Sequence, residues 1–99
     1  MSNNPIDCKR YRIRGLKGRD HYVIIDDEGI MVTFPDNLVE NYPYYAAATA
    51  LARMVSVSAQ AGLGMAIIEK QLSESSMQNN DLPHVLLQAI KKYKEDKKK

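Results

Sequence analysis

KRYRIRGLKGRDHYVIIDDEGIMVTF, residues 9–34, decides the fold. At its start Tyr11 and Ile13 alternate with Arg10, Arg12 and Arg14, the period of two that a half-buried strand requires. Gly15 and Gly18 lie in a turn or short loop, after which HYVIID and GIMVTF read as strands rich in β-branched and aromatic residues. Asp27-Glu28-Gly29 stands where a tight hairpin belongs, because Gly29 can take the positive φ such turns often need. The stretch therefore predicts three short antiparallel strands.

Pro35, Asp36 and Asn37 end the sheet region, and the character of the chain then changes. Residues 42–61 are rich in alanine, with Leu51, Met54, Val55 and Val57 among them, and lack an interior glycine or proline. They predict a long helix with Asn41 as N-cap, Pro43 in the first turn and Gly62 as a left-handed stop. Apolar side chains occur almost all round it and Arg53 is its only charge, so it is expected to be the most buried element. A second helix is predicted from about Gly64 to Leu72, where Met65, Ile68 and Leu72 recur at helical spacing. SESSMQNND reads as a polar linker, and Asp81 as the cap of a third helix running to Tyr93.

The order is β-β-β-α-α-α: an α+β domain with helices packed on one face of a small three-stranded antiparallel sheet. Residues 1–8 read as a flexible lead, 9–93 as the single domain and 94–99 as a basic tail that frays. The chain has 99 residues, enough for one core and too few for two. With 44% hydrophobic and 26% charged residues, it has an ordinary globular composition. Its single cysteine, Cys8, excludes an internal disulfide and a multi-thiolate zinc site. No apolar run could span a bilayer, and MSNNPIDC lacks an apolar signal core, so a cytoplasmic protein is expected.

The net charge of +2 hides an uneven distribution. Residues 1–19 carry +5, residues 20–90 carry −7 and residues 91–99 carry +4. Basic ends flanking an acidic middle can mark contact with anions, or can simply neutralise the acidic body.

Evidence for catalysis is thin. Cys8 sits beside Lys9 and Arg10, which favour a thiolate, but a nucleophile also needs a positioned base. The chain offers only His21 and His84, on different elements. The histidines and carboxylates form no metal-ligand spacing, and the glycines follow no phosphate-loop pattern. Asp26-Asp27-Glu28 reads as a solvated turn. No catalytic residue, metal or cofactor is assigned.

The arginines are the best functional signal. On a strand, Arg10, Arg12 and Arg14 project from one face at ~7 Å intervals, comparable to the step between successive phosphates of a single strand. Lys17 and Arg19 extend the patch through the turn, and guanidinium groups grip phosphates bidentately. The competing reading is a solvated sheet face whose charges discourage edge pairing. Tyr42, Tyr44 and Tyr45 are a second candidate, as pocket lining or interface at a helix start. The apolar helix also suggests self-association, most simply a homodimer, with Ala48, Ala52, Val55 and Ala59 as interface candidates.

ALARMVSVSAQAGLGMAIIEKQL, residues 50–72, resembles the helix–glycine–helix portion of the TSCPD domain, through Ala50, Leu51, Arg53, Ser56, Gly62, Ile68, Gln71 and Leu72. Such modules occur near the C-terminus of B12-dependent ribonucleotide reductases and as small standalone proteins. The resemblance implies an α+β fold and a link to nucleotide metabolism. This chain has Tyr42-Pro43-Tyr44-Tyr45 and Ser73 to Met77 where the family commonly has cysteines, so no metal or redox role carries over. The expected function is a non-catalytic, self-associating binding module that contacts a nucleotide, a nucleic acid or a reductase-type protein through the basic strand. The alternatives are a thiol-dependent enzyme or redox accessory using Cys8, and a pure protein adaptor or inhibitor.

Overall fold

The computed structural model describes residues 8–26, 29–33 and 42–98. β1 (Lys9–Arg14), β2 (Asp20–Ile25) and β3 (Ile30–Thr33) form an antiparallel sheet in the order β1-β2-β3. α1 (Tyr42–Gln60), α2 (Met65–Ser75) and α3 (Leu82–Lys97) follow. The fold is α+β, as the residue periodicities predict. Asn41, the segment 34–40, the hairpin tip Asp27-Glu28 and the lead 1–7 lie outside the described residues.

Directly opposed residues of an antiparallel pair share a face, so the register sorts the sheet into two sides. Ile13 pairs with His21, and Tyr11 with Val23, which in turn faces Val32. This side is buried: Ile13, His21, Val23, Ile25 and Val32 all lie in the interior. α3 packs against β1 and β2 there, α1 packs against β3, and α2 packs against α3 and α1. Among the described residues, no helix packs on the opposite side.

α1 is not the most buried element. Ala48, Ala52 and Val55 are in the core and Ala59 is packed against it, whereas Ala47, Ala50, Met54, Val57 and Ala61 face solvent. The sheet covers one stripe only, and among the described residues no second layer lies outside. α3 is buried more deeply, with Val85, Leu86, Leu87, Ala89 and Ile90 all interior, because it lies between the sheet and α2.

The helix ends follow local chemistry. Gly62, at φ +94°, closes α1 with Leu63 N–H bonded to the Ser58 carbonyl at 3.0 Å and Gly62 N–H to that of Ala59 at 3.1 Å. This paired pattern needs a left-handed residue, which glycine supplies without strain. Asp81 caps α3 by accepting from His84 N–H, and it also accepts from Met77 N–H, Gln78 N–H and the Ser76 hydroxyl. α2 runs three residues past Leu72 to Ser75.

α3 continues past Tyr93, where the sequence suggested fraying, to Lys97. Its last turn is tied down: the Tyr11 hydroxyl donates to Asp96 Oδ2 at 2.6 Å, and Lys97 Nζ lies 5.4 Å from the centre of the Tyr93 ring. Burial pushes the Tyr11 phenol up to about 12, and the Asp96 bond adds to the shift.

Ser56 joins α1 to the sheet edge. Its Oγ accepts from Ile30 N–H at 2.8 Å and lies 3.1 Å from the Ile30 carbonyl, so a helix side chain covers backbone groups of β3. Among the described residues, no helix is long and apolar enough to cross a membrane.

Candidate functional site

Alternation on β1 puts Arg10, Arg12 and Arg14 on the open side of the sheet, as the sequence predicts. The register sets each arginine opposite a β2 residue of the same face: Arg10 opposite Ile24, Arg12 opposite Tyr22, Arg14 opposite Asp20. Met31 extends the row from Ile24 and is 53% exposed. The face is thus a basic strip along one edge beside an apolar and aromatic strip in the middle.

The arginines differ in what holds them. Arg12 donates to Asp20 Oδ2 at 2.8 Å, and Arg14 Nε lies 3.8 Å from Asp20 Oδ1. The Arg12 hydrogen bond, helped by the charge of Arg14, holds the Asp20 carboxyl below the ordinary carboxylate range. Even so, Arg12 and Arg14 are 61% and 70% exposed, against 20% for Asp20. Arg10 stacks on Tyr22, with its guanidinium carbon 4.4 Å from the ring centre. One carboxylate therefore serves two guanidinium groups, and the face keeps a net positive charge.

Arg19 does not belong to this strip. It lies 5.1 Å from the centre of the Tyr44 ring, at the end of the buried layer. Sequence spacing alone joined it to the patch, but the turn formed by Leu16–Gly18 reverses the chain between Arg14 and Arg19. Lys17 lies in that turn, and its side chain is outside the described residues.

Tyr44 is held by His21, which the sequence offered only as a base without a positioned nucleophile. His21 is fully buried, with Nδ1 3.1 Å from the Arg19 carbonyl and Nε2 2.5 Å from the Tyr44 hydroxyl. A carbonyl can only accept, so Nδ1 carries the proton and Nε2 accepts from Tyr44. Burial lowers the His21 pKa, keeping the imidazole neutral, and raises that of Tyr44. The only sequence signal for this was His21 on the inward phase of its strand. Tyr45 is half-buried beside it on α1, and the Tyr42 side chain lies outside the described residues.

A cleft of about 280 Å³ opens between the hairpin end, α1 and α3, with Ile30, Val55 and Tyr93 among its apolar lining and Asp26, Lys94 and Lys97 among its charged lining. Neither Tyr44, Tyr45 nor any of the four arginines of the N-terminal segment lines it.

The chain matches no family model, no curated protein and no solved structure.

Cys8 is exposed immediately before β1. His21 is engaged by Tyr44 and Arg19, while His84 Nδ1 accepts from Asn80 N–H at 2.8 Å. Among the described residues, no group of three or more histidine, cysteine, aspartate or glutamate side chains could hold a metal.

Proposed function

We propose that this chain is a non-catalytic binding module that takes a phosphate-bearing partner on the open face of its sheet. The carrying observation is the row Arg10, Arg12 and Arg14, facing solvent on one strand with Asp20 as the carboxylate paired to it. Guanidinium groups bind phosphate oxygens by paired hydrogen bonds, and a row of them adds the attractions along an extended anion. The likeness of residues 50–72 to TSCPD modules supports a partner from nucleotide metabolism, including a ribonucleotide-reductase-type protein.

The test is a fluorescence titration with polyanions at low and raised salt. Binding that weakens with salt, and weakens again when Arg10, Arg12 and Arg14 become glutamine, supports the reading. A folded protein that binds no polyanion overturns it.

Self-association is the second part of this reading. Ala47, Ala50, Met54, Val57 and Ala61 are exposed and recur at alternating spacings of three and four, a continuous apolar stripe along α1. The earlier candidates Ala48, Ala52, Val55 and Ala59 serve the intramolecular core instead. A second copy presents the same uncharged stripe, and two such helices with small side chains can approach closely around a two-fold axis.

A further inference from the structure

We infer that the ligand of the open sheet face is a single-stranded nucleic acid, with Tyr22 and the Arg10 guanidinium as its base-stacking platform. This rests on the phosphate-binding reading above and adds the part that recognises bases.

Three features of the face carry it. The first is charge: Arg12 and Arg14 stand exposed along β1 at the ~7 Å repeat of alternate strand residues. The second is the neighbouring strip, where a phosphate-only site has no need of apolar surface. Tyr22 and Ile24 are half-buried directly across the register from Arg12 and Arg10, and Met31, 53% exposed, pairs with Ile24 from the next strand, all on the arginine side of the sheet. The third is the Arg10–Tyr22 stack, 4.4 Å from guanidinium carbon to ring centre, which holds two flat π surfaces together at the boundary between the strips.

A single strand has this same division. Its phosphates run along one side and its unpaired bases are free to lie on the other. Laid along β1, its backbone meets Arg12 and Arg14 while its bases turn inward onto the Arg10 guanidinium, which the Tyr22 ring supports from beneath, and onto Ile24 and Met31. Bases stack on aromatic rings and on guanidinium planes alike, which gives affinity with little sequence preference. A duplex fits less well. Its bases are hidden, and reading its grooves takes a protruding helix or ribbon, whereas this face is a sheet surface with side chains of modest reach. Polyphosphate would use the arginines and leave the apolar strip wet.

The experiment measures binding of a labelled oligothymidylate by anisotropy, with a duplex, inorganic polyphosphate and free nucleotides as competitors. The oligothymidylate is expected to bind more tightly than any competitor. Tyr22→Leu should weaken it roughly 5- to 150-fold, the range for loss of one stacked base, without changing the slope against salt. Tyr22→Phe should keep the affinity, because stacking does not use the hydroxyl. Arg14→Gln should lower the salt slope by about one. Tyr22 is only half-buried, and circular dichroism of each variant confirms the fold; Met31→Ala on the exposed part of the strip provides an independent loss. If polyphosphate and duplex compete as well as the single strand, and Tyr22→Leu and Met31→Ala are silent, the inference is overturned while the phosphate-binding reading stands. If no polyanion binds the folded protein, both are overturned.

Discussion

The Arg10 guanidinium carbon lies 4.4 Å from the centre of the Tyr22 ring, across the β1–β2 pair and on the side of the sheet that the helices leave open. The contact joins a charged strip to an apolar one. It gives the face a direction, with guanidinium groups at the edge strand and flat or apolar groups at the centre.

Asp20 restrains this face. It pairs with Arg12 at 2.8 Å and attracts Arg14 at 3.8 Å, so Asp20→Asn should release both toward an anion. Polyanion binding at low salt is expected to tighten by roughly 2- to 5-fold, the scale of an exposed ion pair, with little change in melting temperature. Unchanged affinity in the titration would show that Asp20 does not compete with the ligand.

His21 makes stability depend on pH. Burial holds its folded pKa below the ordinary ~6.5, so between those two values the unfolded chain binds more protons than the folded one. The full contribution is therefore present above ~6.5 and is lost as pH falls through that value toward the folded one. Melting temperature is expected to drop over that interval. Tyr44→Phe should cost about 1–3 kcal/mol in urea unfolding at neutral pH, because it leaves the buried Nε2 without its donor.

Gly15 is required by closeness, not by its backbone angles, since its φ of −97° suits any residue. A Cβ built there comes within 2.3 Å of His21 Cε1 and 3.3 Å of the Asn80 carbonyl oxygen. Gly15→Ala is expected to destabilise by about 1–3 kcal/mol, as overpacked interiors do. An unfolding midpoint equal to wild type would contradict the packing around His21.

The sheet was legible in the sequence because its side-chain alternation is strong: Tyr11 and Ile13 point inward and the arginines outward, as their spacing requires. Gly62 and Asp81 were legible as helix punctuation because capping is local chemistry. What depended on distant partners was not. Alanines read as core all round α1 are half solvent-facing, because composition does not reveal how many layers surround a helix. Arg19 is close in sequence to the arginine strip yet faces Tyr44, and His21 gains its role from a tyrosine 23 residues away. Tyr22, now central to the site, was read only as a strand former.

The outer stripe of α1 tests self-association. Met54 is 62% and Val57 50% exposed, so a lysine at Met54 should not disturb the monomer fold. Light scattering is expected to give twice the 11.2 kDa chain mass for the wild type and a single-chain mass for Met54→Lys. A wild-type protein at 11.2 kDa throughout the micromolar range would remove the dimer.

Oligothymidylate can be mapped on the isotope-labelled protein by nuclear magnetic resonance. The largest amide and side-chain shifts are expected on Arg10, Arg12, Arg14, Tyr22, Ile24 and Met31, with the outer face of α1 unmoved. Shifts centred on α1, on the cleft beside Tyr93, or nowhere at saturating oligonucleotide would contradict binding on the sheet face.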